Sequence, residues 1–312
     1  GDTCYFDSSI PHGMIAVGGE DCEFYAIVLN PTGASIPELD PMRYTPVARE
    51  MKSKTERPGI WQKWIDVETS ESGTPTKIEF KNTDSFNFAF DVVDELGKTK
   101  PEKLAMLHLS SDKKESARCA NYFSSLGIKK GDRVMLILKR HYQFWYAMIG
   151  LNKLGAIAIP ASNQLLSHDI EYRINTAEIS TIICTSDGEC ADEVDKASPS
   201  CPSLVNKLIV GKKREGWRDF DEEYPRFSSS YKRTKDSPKG DDLLLMFFTS
   251  GTSGYPKIAA HNHKYPLGHF HTARFWHATD PDGLHFTISD TGWAKAMWGK
   301  LYGQWLNESA TF

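Results

Sequence analysis

No stretch of this 312-residue chain approaches the roughly eighteen consecutive apolar residues that a membrane-spanning helix needs. An excess of one charge is missing too. With 37 basic and 41 acidic residues the formal net charge is −4, which gives no global attraction to nucleic acid. Cysteine is sparse: six residues, at positions 4, 22, 119, 184, 190 and 201, with no C-x-x-C among them. A disulfide framework is therefore not expected; the thiols read as reduced, and the cytoplasm is the expected compartment. The opening GDTCYFDSS has neither a basic n-region nor an apolar h-region, so no signal peptide is expected. What is present, 40% hydrophobic and 25% charged residues, is ample for one large domain or two modest ones.

Residues 1–80 carry the weakest patterning. Ile15–Val17 and Phe24–Leu29 read as short strands, and Pro31–Pro46, rich in Pro, Gly and Ser, as a linker. Trp61 and Trp64 are expected to pack on the body of the protein. Beyond residue 80 the pattern sharpens. Ala89–Leu96 and Ser116–Leu126 read as helices, and Leu104–Leu109 and Arg133–Leu138 as strands. Tyr142–Leu154 is apolar nearly all round and should be a buried helix, with Gly155 as its C-terminal cap. Ala156–Pro160 then returns as a strand. Ser167 is placed to cap a helix with Asp169 and Glu171 in its first turn. Thr181–Cys184 and Lys207–Val210 supply further strands, and Phe220–Gly240 reads as an exposed connector. Strand–helix–strand units imply an α/β fold with a largely parallel, doubly wound sheet. The expected division is an unassigned segment 1–80, a first α/β subdomain 81–240, and the start of a second from 241 to 312.

The richest stretch is Leu243–Lys257, LLLMFFTSGTSGYPK. An apolar strand stops at a loop of small hydroxyl residues and glycines. Gly251 and Gly254 allow main-chain N–H groups to approach an anion closely. Thr249, Ser250, Thr252 and Ser253 add hydroxyl donors, and Lys257 adds a compact positive charge. A Walker A loop is disfavoured, because Pro256 precedes the lysine and Ile258, which cannot ligate a metal, comes after it. A surface hairpin without ligand fits the same residues. Six of the ten histidines fall between His261 and His285. The alternate pairs His261/His263 and His269/His271 invite a zinc site, but no cysteine lies nearby and Lys264 and Arg274 repel cations, so no metal site is expected. In Ser289–Gly303, SDTGWAKAMWGKLYG, Asp290-Thr291 can cap a helix and Gly292 permits close approach of a substrate. Trp293 and Trp298 read either as pocket walls or as core.

Four stretches carry a family resemblance. T-S-G-T-S-G-Y-P-K resembles the nucleotide-phosphate signature of the AMP-forming acyl-CoA synthetases and their adenylate-forming relatives. Gly131–Pro160, His285–Trp305 and the opening N-F-A-F-D-V-V-D at Asn87–Asp94 resemble the medium-chain acyl-CoA synthetases in particular. The resemblance runs from about Phe86 to Phe312, with a break at Glu115–Ser116 where the family has a further strand and the start of a helix. A deletion or an omission of residues accounts for the break, and omission is favoured because a lost strand would expose core. The resemblance implies the N-terminal part of the large domain of an acyl-adenylate-forming synthetase. It implies ATP, Mg2+ and coenzyme A as cofactor and cosubstrates, and a short- or medium-chain carboxylic acid as substrate. Thr249, Ser250, Gly251, Thr252, Ser253, Gly254 and Lys257 would grip phosphate, with Lys257 catalytic. His269, Trp293, Ala294 and Ala296 would line the acid pocket. The family's adenine and ribose ligands, hinge and small C-terminal domain should lie beyond Phe312, so a portion of a larger enzyme is expected. Another adenylate-forming activity, on aryl or amino acids, or a non-catalytic nucleotide-binding protein, remains open, as does monomer or homodimer.

Overall fold

The computed structural model describes residues 58–106, 115–249 and 255–311, which fall in one compact unit beginning at Pro58. The strands expected at Ile15–Val17 and Phe24–Leu29 lie outside the described residues.

The first described strands form an antiparallel hairpin, β1 (Ile65–Thr69) and β2 (Pro75–Phe80), that the sequence did not announce. Its burial is irregular, with only Ile65 buried, so no clean alternation marks it. The two tryptophans pack as expected: Trp61 lies 4.7 Å from the Phe270 ring and Trp64 meets Phe86 edge-on at 5.0 Å. The helix expected from Ala89 begins as wide π-type turns at Ala89–Asp94 and continues as α1 (Glu95–Thr99). Of the strand expected at Leu104–Leu109, residues 107–109 lie outside the described residues; Met106 forms an isolated bridge to Thr311.

From there the chain alternates: α2 (Glu115–Ser125), β3 (Arg133–Ile137), α3 (Gln143–Leu154), β4 (Ile157–Pro160), α4 (Ser167–Ala177), β5 (Thr181–Thr185), α5 (Cys190–Ala197), β6 (Asn206–Val210) and the short β7 (Arg218–Asp219) with α6 (Phe220–Glu223). After a connector come β8 (Leu243–Thr249) and β9 (Lys257–Asn262). The seven strands make one sheet, ordered β7-β6-β5-β3-β4-β8-β9. Every neighbour is parallel except β8 and β9. After β4 the chain passes back over β3 to lay β5, β6 and β7 on one side, then returns to set β8 beside β4. The sheet thus runs across residue 240 without interruption.

Strand alternation splits the core into two layers. Val134, Leu136, Leu245 and Phe247 face one side, with Tyr122 and Phe123 of α2 and Phe144, Met148 and Leu151 of α3. Met135, Ile137, Ile182 and Cys184 face the other, with Ile170 and Ile174 of α4 and Val194 of α5; Met246 and Phe248 pack against this layer. Helices on both faces explain why β3, β4 and β5 are apolar on both sides along Val134–Ile137, Ile157–Pro160 and Ile182–Cys184. Gly155 ends α3 at φ +86°, the left-handed cap that a glycine tolerates best.

Two expectations need correction. Ser167 is the first helical residue rather than the cap, and its N–H is satisfied across helices by Glu193 Oε2 at 2.7 Å. The stretch from Phe220 is not simply exposed: Phe220 is fully buried and stacks on Tyr224 at 4.8 Å, because aromatic side chains in a polar segment still seek the core.

The remaining elements are α7 (Tyr265–Gly268), β10 (Leu284–His285), α8 (Ala294–Ala296), α9 (Tyr302–Leu306) and β11 (Ala310–Thr311), with π-type turns at Thr272–Trp276 and Met297–Leu301. Buried polar groups tie them to the sheet layer. Fully buried Asn87 donates to the carbonyls of Asn152 (3.1 Å) and Pro238 (2.8 Å) and accepts from the N–H of Ala89 at 3.0 Å. Tyr302 closes the knot by donating to Asn152 Oδ1 at 3.1 Å. Asn87→Ala would strand two buried carbonyls, each costing roughly 1–3 kcal/mol. We therefore expect urea denaturation of this variant to show a loss of about 3 kcal/mol. A loss below about 1 kcal/mol would mean that the carbonyls find other partners.

Candidate functional site

In an open α/β sheet, ligands sit beyond the carboxyl ends of the strands. Two polar features of this chain converge on that edge. The first is the β8–β9 hairpin. β8 runs parallel to β4, with Ala158 opposite Leu245, so its last residue, Thr249, lies at the carboxyl edge. β9 returns antiparallel, pairing Thr249 with Lys257, and the Thr249 hydroxyl approaches the Lys257 carbonyl at 3.4 Å. Ser250, Gly251, Thr252, Ser253 and Gly254 lie outside the described residues. Thr249 and Lys257 are both exposed, and the Lys257 ammonium makes no ion pair among the described residues.

The second feature is the turn Asp290–Trp293. Asp290 Oδ1 accepts the Gly292 N–H at 2.9 Å, and the Thr291 hydroxyl donates to the carbonyl of Lys139, just past β3. Gly292 sits against the backbone just past β4: a Cβ there would lie 2.4 Å from the Ala161 carbonyl oxygen. The close approach expected at Gly292 is thus made by the chain's own backbone. The capping expected of Asp290-Thr291 is also displaced, since the residue preceding α8 is Trp293 and it makes no side-chain cap. Trp293 is 62% exposed and Ala294 is exposed, whereas Ala296 is fully buried in the main core layer.

A continuous ladder of rings, which the sequence showed only as a histidine-rich run, starts on β9 at His261. His261 lies 4.5 Å from Tyr265, Tyr265 lies 4.5 Å from His269, and His269 stacks on Trp298 at 6.3 Å. Trp298 stacks in turn on His277 at 5.9 Å, and His277 on His285 at 5.1 Å. The helical spacing Tyr265/His269 would have revealed one rung; the contacts to Trp298 join segments about twenty to thirty residues apart and had no local signal. The imidazoles are held neutral. Burial pushes His269 and His285 down to about 4, and His261 and His277 downward as well. Buried His263, outside the ladder, is also pushed to about 4.

Two tautomers are fixed by the hydrogen bonds. Gln304 Nε2 can only donate, so His277 Nδ1 accepts at 3.0 Å and the ring proton sits on Nε2. The Thr287 hydroxyl donates to the Gly299 carbonyl at 2.9 Å, so it accepts from His285 Nε2 at 2.7 Å. His269 Nδ1 is buried without a hydrogen-bond partner among the described residues. Chemically, the arrangement offers an uncharged aromatic wall beside an edge that carries the exposed cation of Lys257.

The depressed histidines have a consequence for stability. Their folded values lie below the usual 6.5, so the unfolded chain binds more protons between about pH 4 and 6.5. Stability should be flat above about pH 7, fall as pH drops through 6.5, and lose this contribution fully near pH 4. Urea denaturation between about pH 7.5 and 5, above the range where carboxylates titrate, should show the fall. His269→Phe should flatten part of it, and an unchanged slope would mean that His269 is not held neutral by its surroundings.

A family model described as AMP-binding enzyme matches residues 112–301, more than half of the chain. Among curated proteins, acyl-coenzyme A synthetase ACSM3, mitochondrial, of Pongo abelii is 36% identical over 73% of this chain and 41% of its own length. The mitochondrial ACSM5 of Homo sapiens is 35% identical over 73% of this chain and 42% of its own. The chain thus spans about two fifths of the length of these relatives. Among solved structures, the anthranilate CoA ligase AuaEII in complex with anthranoyl-AMP has a TM-score of 0.66 at 21% identity, over 73% of this chain and 45% of that one. The acyl-CoA synthetase of Brucella canis has a TM-score of 0.64 at 22% identity, over 74% of this chain and 43% of that one. At these identities the structures speak to the fold. The cytoplasmic compartment expected from composition is overturned by the curated relatives, whose names place them in mitochondria. Reduced, buried thiols such as Cys119 and Cys184 separate secreted from intracellular proteins and do not distinguish cytosol from mitochondrion. The match over residues 112–301 and the adenylate-forming fold agree with the signature at Thr249–Lys257: the chain belongs to the AMP-binding enzymes, the adenylate-forming family.

Proposed function

We propose that the protein is an acid–thiol ligase that activates a short- or medium-chain carboxylic acid with ATP. The acid's carboxylate attacks the α-phosphorus to give acyl-adenylate and pyrophosphate; the thiol of coenzyme A then displaces AMP to give acyl-CoA. The first step brings an anion against a highly anionic triphosphate, so positive charge and aligned donors must offset the repulsion and stabilise the leaving pyrophosphate. In this reading Lys257 and the Thr249–Gly254 hydroxyls and amides hold the β- and γ-phosphates. Mg2+ would travel with the phosphates, which suit its preference for oxygen ligands and retained water, and no residue of this chain is assigned to it. His269, Trp293 and Ala294 would face the acid, with Ala296 holding α8 in the core.

The observation that carries the reading is the meeting at one sheet edge of the β8–β9 hairpin, with its exposed Lys257, and the Asp290–Trp293 turn. The neutral ring ladder supports it, since an uncharged wall suits the apolar tail of an acid better than a protonated one. By likeness to the curated relatives, the protein would act in the mitochondrion.

ATP–pyrophosphate exchange across aliphatic, aryl and amino acids tests the reaction and separates it from other adenylate-forming activities. Lys257→Ala is expected to lower kcat/KM for ATP about 10- to 100-fold, the loss of one or two charge-assisted contacts, while KM for the acid changes less than about threefold. An unchanged ATP dependence would refute the phosphate role. Ala294→Leu should shift preference toward shorter acids without altering Tm, because the position is exposed. Ala296→Leu should instead lower stability by about 1–3 kcal/mol through overpacking. Chain-length preference untouched by Ala294→Leu would place the pocket elsewhere.

A further inference from the structure

The geometry points to Tyr172 of α4 as a positioning residue that sets the β8–β9 hairpin for the polyphosphate of ATP. This rests on the phosphate role proposed above. A single aromatic side chain touches the chain on both sides of the loop. Its hydroxyl donates to the Pro256 carbonyl at 3.0 Å, and its ring stacks on Tyr255 at 5.1 Å with the planes 28° apart. On the entering side it meets the Phe248 ring edge-on at 6.4 Å, while the neighbouring Arg173 guanidinium lies 5.3 Å over the same Phe248 ring. Arg173 is itself held by the Asp169 carboxylate at 3.3 Å.

The need for such a brace comes from the hairpin's own weakness. Thr249–Lys257 is the last described pair of β8 with β9, and Tyr255 is 70% exposed. β9 is an edge strand with one partner, so its first residues have little else to fix them. α4, by contrast, is anchored through fully buried Ile170 and Ile174 in the second core layer. Tyr172 therefore transfers the rigidity of a packed helix to residues immediately before Lys257. A lysine grips phosphate as a point charge on a flexible stem, so the place of its backbone decides how much of that charge reaches the ligand.

Removing only the hydroxyl, in Tyr172→Phe, should raise KM for ATP about threefold to tenfold, the range of one hydrogen bond. Tyr172→Ala, which also removes the stack, should raise it further. KM for the acid should stay within about twofold in both. Independently of catalysis, hydrogen exchange should quicken about tenfold at Phe248–Thr249 and Lys257–Ile258 in Tyr172→Ala, with β3 and β5 unchanged. Unchanged hairpin exchange, equal effects on ATP and acid, or a lower Tm with unaltered KM for ATP would each overturn the proposal. If the unmodified protein supports no ATP–pyrophosphate exchange while the hairpin exchange still responds, the phosphate reading itself fails. Tyr172 is then an anchor of the hairpin and not a positioning residue for ATP.

Discussion

The site depends on β8 being paired on both flanks. A strand held by β4 on one side and β9 on the other cannot slide, because a one-residue slip would turn Leu245 and Phe247 out of one core layer and Met246 and Phe248 out of the other. That fixes where Thr249 leaves the sheet. The change from a parallel to an antiparallel neighbour at β8 also sets the kind of connection that leaves it. An antiparallel return needs only a short link, whereas a parallel neighbour requires a crossover. The glycine- and hydroxyl-rich segment therefore joins two strands instead of opening a helix. Anion sites at helix N-termini draw on the helix dipole; the cation that this hairpin presents among the described residues is exposed Lys257.

The opposite choice governs the ring ladder. With ordinary values near 6.5 its histidines would take up protons as pH falls below neutral. Burial and mutual repulsion keep them neutral: His269 is disfavoured as a cation first by desolvation and then by His271, His261 and His277. Positive charge on the hairpin is thereby left to exposed Lys257, and the wall beside it remains aromatic and uncharged. Buried Glu308 is treated differently, by pairing. It accepts the Ile60 N–H at 2.7 Å and forms an ion pair with Lys100, so one carboxylate fastens the start of the compact unit to the segment before β11.

The two-layer core was largely legible in the amino-acid sequence. The mostly apolar helix at Tyr142–Leu154, its glycine cap and the flanking strands occur within one or two residues of their expected limits, because propensity, periodicity and burial agree there. The β1–β2 hairpin was not legible. Its side chains alternate poorly, and its place is set by the Trp61–Phe270 and Trp64–Phe86 contacts with distant segments. The caps expected at Ser167 and Asp290-Thr291 were displaced by one to a few residues: the Ser167 N–H is met by Glu193 from another helix, Asp290 accepts the Gly292 N–H, and the Thr291 hydroxyl is drawn to the carbonyl of Lys139.

By itself the sequence determined the fold class, the strand that leads into the phosphate-type loop, and the residue types available there. These come from local periodicity and from the conformational needs of small residues. Only the tertiary structure decided that Gly292 packs against the Ala161 backbone, that Ala296 is core while Ala294 is exposed, that the histidines join into one neutral ladder through Trp298, and that Tyr172 reaches both sides of the loop. The Gly292, Trp298 and Tyr172 contacts each join residues far apart in the chain. Nothing in a local pattern encodes them, because they arise where the crossovers of a doubly wound sheet deliver separate segments to the same edge.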